Sequence, residues 1–144
     1  MKIDVVDRAD YIEIVDVWEA SVRATHDFLS EKDIQFFKPK ILNEYLKAVE
    51  QLWCVKNSEG GIIGFLGVAD GNIEMLFILP ECRGKGIGKL LINYAVHELG
   101  ANKVDVNEQN LQAVGFYTHL GFKTINRSSV DGLGKPYPLL HMQL

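Results

Sequence analysis

The stretch "NIEMLFILPECRGKGIGKLLINYAVHEL", residues 72–99, constrains this chain more than any other. An apolar run ends at Pro80, and a periodic apolar pattern begins at Ile87. The run is continuously apolar from Leu76 to Leu79, which predicts a strand end covered on both faces. Ile87, Leu90, Leu91, Tyr94, Ala95 and Val96 predict a helix from about Gly86 to Leu99, with Gly100 closing it. Gly84, Gly86 and Gly88 crowd the mouth of that helix, together with Arg83, Lys85 and Lys89. Glycine is a poor helix former, so three of them there need a reason. Small residues let a backbone approach a ligand closely and leave its N–H groups free. A helix N-terminus carries roughly half a positive charge, which stabilises a diphosphate. Lys85 and Lys89 add point charge, and Arg83 can grip phosphate oxygens. A turn without a ligand needs one or two glycines, not three with three cations.

The rest of the chain supplies a mixed α/β frame. "KIDVV" alternates and predicts a short strand. Asp10 then stands as an N-cap with Glu13 three residues on, and Tyr11, Ile14, Val15, Trp18 and Val22 share a helical stripe. Ser30 is a second N-cap. The helical pattern after it is interrupted by Pro39, which predicts two short helices, the second burying Ile41, Leu42, Tyr45 and Leu46. "LWCVK", "IIGFLGVA" and "IEMLFIL" predict a three-strand meander. Asp70-Gly71 makes its second turn, because a type I′ hairpin needs positive φ. "KVDVN" is a strand, "LQAVGFYTHL" a helix closed by Gly121, and "FKTIN" and "LLHMQL" are final strands. One central sheet flanked by helices follows.

At 144 residues and 47% hydrophobic, the chain suits a single domain, residues 1–144, with a real core. Its formal charge of −4 excludes the basic footprint of a nucleic-acid binder. No apolar stretch is long enough to span a membrane, and "MKIDVVDRAD" has no signal-peptide core. Cys54 and Cys82 lie far apart without CxxC spacing, so a reduced, cytoplasmic setting is expected, with no metal site.

The glycine loop fits neither common nucleotide signature. A Walker A loop needs GxxxxGK followed by Ser or Thr, whereas Gly84 to Lys89 is one residue short and is followed by Leu90. A dinucleotide fingerprint needs GxGxxG, whereas here the spacing is GxGxG. The spacing that fits is Arg-x-x-Gly-x-Gly, at Arg83, Gly86 and Gly88. With the later "VNEQNLQAVGFYTHLGF", the loop resembles the acetyl-CoA pyrophosphate segment and cofactor-arm segment of the GNAT acetyltransferases. The motifs span residues 73–122, and the order of elements is similar over the whole chain. "ATHDFLS" and "DGLGKPYPLL" further resemble the small bacterial YjaB-like branch.

The resemblance implies a GNAT acyl-CoA N-acyltransferase fold, a mixed sheet of about six or seven strands flanked by helices. It implies direct transfer of acetyl from acetyl-CoA to a primary amine of a small-molecule or protein acceptor, by a monomer or homodimer. It implies that the backbone of Leu76, Phe77 and Ile78 pairs with pantetheine. The N–H groups of Arg83, Gly84, Lys85, Gly86, Ile87, Gly88 and Lys89 would hold the diphosphate. Asn110 would bond the cofactor arm, and Tyr117 would sit near the sulfur. A non-catalytic CoA-binding module of the same fold is the rival reading, separated by whether Tyr117 and a polar acceptor pocket converge on the thioester.

The departing CoA thiolate belongs to a thiol of pKa about 8.5, by analogy with cysteine, and a phenol sits near about 10. Tyr117 therefore stays protonated at neutral pH and can donate to that sulfur. The alternative for Tyr117 is core packing, which Phe116 and Phe122 can supply. A base is harder to find. An amine of pKa about 10 and a carboxyl near about 4.3 differ by about six units, on the order of 8 kcal/mol. Glu74 can act only through water or if burial raises its pKa; strict alternation places it with Leu76 and Ile78. A solvated residue at the strand start is its other reading. His26, in "THDF" between two helices, is a second base candidate, against a capping or turn role. Cys54 suits the core, Cys82 lacks a partner base, His97 and His119 suit structural roles, and His141 has no role.

Overall fold

The computed structural model describes residues 2–144. Seven strands form one sheet: β1 (Lys2–Val5), β2 (Gln51–Lys56), β3 (Ile62–Ala69), β4 (Asn72–Ile78), β5 (Lys103–Asn107), β6 (Lys123–Ser128) and β7 (Leu139–Gln143). Their spatial order is β1-β2-β3-β4-β5-β7-β6, and only the β4–β5 pair is parallel. Helices α1 (Tyr11–Thr25) and α2 (Glu31–Lys40), with a last turn α3 (Leu46–Ala48), cover one face. Helices α4 (Ile87–Glu98) and α5 (Leu111–His119) cover the other. The apolar strand β3 explains this layering. Ile62 and Phe65 pack towards α1 and α2, while Ile63, Leu66 and Val68 pack towards α4. A strand buried on both faces reads as an unbroken apolar run.

Local chemistry sets the element ends. Asp70 and Gly71 both have positive φ, 52° and 73°, as the type I′ turn requires. Ser30 caps α2 through a 3.1 Å bond from the Asp33 N–H. The cap expected at Asp10 lies one turn earlier: Asp7 accepts from the Ala9 N–H, and Asp10 accepts from the Asp7 N–H. Glu13 is released from capping and accepts the Ile62 N–H at 2.9 Å, tying α1 to β3. Pro39 does not divide the helical segment as expected. The helix continues to Lys40 and then widens into a π-helical turn, Ile41–Tyr45, closed by the Leu46 N–H on the Ile41 carbonyl. Pro39 is the ninth of the ten residues of α2, so its missing N–H costs the helix only the bond to the Gln35 carbonyl, and the wide turn begins after it. Ile41 and Leu46 are buried, as their spacing predicts.

Two irregularities of β4 matter for function. Gly67 faces Met75 and Val68 faces Ile73, so Glu74 has no partner on β3 and forms a bulge. Beyond it, β4 and β5 pair at only two rungs, Asn72–Lys103 and Ile73–Val104. From Glu74 onward the β5-facing edge of β4 has no strand partner, and a cleft opens between the two strands.

Candidate active site

The cleft holds about 500 Å³. Residues 73–78 of β4 form one wall and residues 104–107 of β5 the other. Leu76 and Ile78 point their side chains into the α4-side core and Phe77 into the α1-side core. Their contribution to the cleft is therefore a backbone edge, which an extended amide-bearing chain can pair with like an added strand.

The glycine loop closes one end. Gly84 and Gly86 adopt left-handed backbone, φ 77° and 82°, and a Cβ on either would meet nothing within 4 Å. Among the described residues, no backbone acceptor takes the N–H groups of Gly84, Lys85, Gly86, Ile87, Gly88 or Lys89; the first helical bond runs from Leu90 to Gly86. Six successive free donors at the start of a twelve-residue helix form an anion cradle that fits a diphosphate. Gly88 has a further reason to lack a side chain. A Cβ there would come 3.2 Å from the Phe116 ring, so it lets α4 and α5 approach. Arg83 lines the cleft and its guanidinium reaches Gln112 on α5. Lys89 lines it too, whereas Lys85 does not. Ile87 buries its side chain in the core and offers only its N–H.

At the other end, Tyr117 packs its ring edge-on against Phe116 and Phe122 and is 5% exposed. Tyr117 packs in the core, one of its two sequence alternatives, and its position also lines the cleft. Burial pushes its phenol well above the ordinary value. That keeps it protonated, but it moves the phenol away from a thiol instead of matching it. Such a phenol is better suited to donating a hydrogen bond than to giving up its proton.

His26 and Asn110 bridge the cleft. Asn110 caps α5 by accepting the Ala113 N–H at 3.2 Å, and its amide nitrogen lies 3.4 Å from His26 Nε2. Thr25 Oγ1 donates to the Ser21 carbonyl at 2.8 Å and so accepts from His26 Nδ1–H at 2.7 Å. That fixes Nε2 as the acceptor of the pair with Asn110. Burial first, and then the Arg83 charge, lower His26 to about 4. It is neutral at pH 7 and a weaker base than an ordinary histidine. Its depressed value makes a stability prediction. Below about 6.5 the unfolded chain takes up a proton that native His26 refuses until about 4. Native stability should therefore fall as pH drops through that window, and His26→Gln should remove that loss. Urea midpoints at neutral pH and at about pH 5 measure it; equal acid losses in both proteins would refute the assignment.

The bulge moves Glu74 away from Leu76 and Ile78, where alternation placed it, onto the face of Met75 and Phe77. That face opens into a groove of about 690 Å³ between α1, α2, the π-helical turn and the β6–β7 connection. Trp18, Phe37, Tyr45 and Tyr137 line its walls, and Met75 and Phe77 its floor. Its charged lining is Glu74, Asp105 and Asp131, with no Lys or Arg. His26, Glu74 and Asp105 line both groove and cleft, so the two cavities meet there. Burial, and then the neighbouring Asp105 charge, raise the Glu74 carboxyl.

Residues 22–142 match the acetyltransferase (GNAT) domain family. The chain belongs to the GNAT family. It is 41% identical over 130 residues to the peptidyl-lysine N-acetyltransferase YjaB of Salmonella typhimurium, covering 90% of this chain and 88% of that one. The YjaB of Escherichia coli is 42% identical over the same length, covering 90% and 87%. The solution structure of apo YjaB from Escherichia coli superposes with a TM-score of 0.86 at 39% identity, over 99% of this chain and 95% of that one. This GNAT chain is an enzyme, an acetyltransferase that moves acetyl from acetyl-CoA to an amine.

Among the remaining candidates, Cys54 is fully buried and its thiol is pushed up to about 11 by burial, as suits a core residue. Cys82 lines the cleft. His97 and His119 are exposed. Among the described residues no His, Cys, Asp and Glu group is arranged to hold a metal ion, and no helix is long and apolar enough to cross a membrane. Asp105, which lines both cavities, is not among the residues singled out from the sequence. The signal was present, because "VDV" alternation sets its carboxylate opposite the apolar face of Val104 and Val106.

Proposed function

We propose that this enzyme acetylates the side-chain amine of lysine in a protein acceptor, by direct transfer within a ternary complex. The observation that carries the reading is the acceptor groove. It is apolar along its floor, acidic where it meets the cleft and free of Lys and Arg. A lysine side chain has the same two parts, an apolar stem and a cationic head. The peptidyl-lysine activity named for the YjaB relatives supports the same acceptor.

In this reading the free edge of Leu76 to Ile78 pairs with pantetheine, and the N–H groups from Gly84 to Lys89 hold the diphosphate, with Arg83 and Lys89 adding charge. Asn110 positions the cofactor arm with its remaining amide hydrogen. Glu74 takes the proton from the acceptor ammonium, aided by its raised value. The amine then attacks the acetyl carbonyl, the C–S bond breaks, and the second proton of the attacking nitrogen passes to the departing thiolate while Tyr117 donates a hydrogen bond to that sulfur. His26 is neutral and holds Asn110, a positioning role. The free thiols of Cys54 and Cys82 fit a reducing cytoplasm.

The test is thiol release from acetyl-CoA in the presence of a peptide carrying one lysine and a blocked N-terminus. Release should depend on the peptide, and mass spectrometry should find the acetyl group on the lysine. A peptide left unmodified while another amine is acetylated would overturn the acceptor assignment.

A further inference from the structure

Asp105 stands at the first rung where β4 and β5 part. Ile73 pairs with Val104 at the last rung, and the residues that follow, Glu74 and Asp105, flank the opening; burial raises the Glu74 carboxyl, and the Asp105 charge lies close enough to raise it further. Both carboxylates line the cleft and the groove, and an ammonium ion placed between them can hydrogen-bond to both. Asp105 is itself held from behind. It faces His141 across β7, and His141 Nδ1 lies 2.6 Å from Asp105 Oδ1. His141 Nε2 lies 2.6 Å from Ser128 Oγ on β6. With the carboxylate oxygen as acceptor, Nδ1–H donates to Asp105 and Nε2 accepts from the Ser128 hydroxyl. A chain of three side chains on three strands thus orients one carboxylate oxygen and leaves the other for the cavity.

We propose that Asp105 is the second carboxylate that receives the acceptor's ammonium group, selecting a cation over a neutral chain, and that His141 and Ser128 are positioning residues for it. The inference rests on the amine-acceptor reading above and adds who discriminates. Glu74 and Asp105 differ in surroundings. Glu74 is raised by burial and by Asp105, while Asp105 keeps a donor in His141. Such a division suits one carboxylate to accept a proton and the other to hold charge. Ser128 and His141 sit towards the sheet edge, outside both cavity linings, so their effect on the acceptor must pass through Asp105.

The experiment is calorimetry on the full chain saturated with CoA, which has no acetyl group to transfer. Two peptides are compared, one with a single lysine and the other with norleucine in its place. The parent enzyme should prefer lysine by about tenfold or more, as a charge-assisted contact implies. Asp105→Asn should remove most of that preference while leaving norleucine binding and CoA affinity unchanged. His141→Ala should remove part of it, and His141→Asn, which keeps a donor near the place of Nδ1, should restore some. A merely structural role would weaken both peptides equally and would overturn the proposal. So would an undiminished lysine preference in Asp105→Asn. If the parent acetylates lysine yet binds both peptides alike, selection by Asp105 falls while the transferase reading stands. If it acetylates no amine, both fall.

Discussion

Tyr117→Phe is expected to lower kcat by about 10²–10³-fold, the loss typical of one preorganised donor, with little change in CoA affinity. Only the hydroxyl is removed. The ring stays between Phe116 and Phe122, so stability should hold. The size of the loss follows from where the phenol sits. Burial raises its pKa, so complete proton transfer to the thiolate is uphill. A hydrogen bond that strengthens as negative charge grows on sulfur is still available, and it acts on the transition state more than on bound acetyl-CoA. An acyl donor with a better leaving thiol needs less of that bond and should shrink the penalty. Pre-steady-state turnover of acetyl-CoA and of an activated thioester measures both quantities. An unchanged rate for the chemical step would leave Tyr117 as a packing residue and make water the donor.

The fold was readable in the sequence where one local signal governed one element. The apolar run of β3, the Asp70-Gly71 turn, the Ser30 cap and the glycine loop before α4 all stand where their chemistry predicts. Where two residues competed for one role, the sequence could not decide. Asp7 and Asp10 both suit an N-cap, and the contact between Glu13 and Ile62 that breaks the tie spans 49 residues. Pro39 disfavours a helix interior, yet it does not say whether the helix stops or continues into a wider turn. The site divides in the same way. The anion cradle was legible because its donors are consecutive in the chain. The acceptor end was not, because it depends on the bulge at Glu74. That bulge moves one carboxylate to the opposite face, towards Asp105, which lies 31 residues later in the chain. Alternation alone contains no bulge, so it sets Glu74 beside Leu76 and Ile78 and does not bring it together with Asp105.

Gly86→Glu should abolish measurable CoA binding, with an affinity loss of at least about 10²-fold, in a protein that remains folded. Gly86 lines the cleft, and a side chain placed on it would meet no protein atom within 4 Å. The new carboxylate would therefore extend into open space beside six free N–H groups. It would compete for those donors and repel the diphosphate. Its left-handed backbone adds a second effect, because any side chain at φ 82° is strained by roughly 1–2 kcal/mol. Gly86→Ala separates the two, since it carries the strain without the charge. Thermal unfolding should shift similarly in both variants, while CoA binding by calorimetry should fail far more in the Glu variant. Pantetheine lacks the diphosphate and gives the complementary control. It should bind the parent and the Glu variant about equally if charge at the cradle is the cause. A folded Glu variant that binds CoA as the parent does would move the diphosphate away from this loop. The fit of the Arg83–Gly86–Gly88 spacing to that ligand would then have to be abandoned.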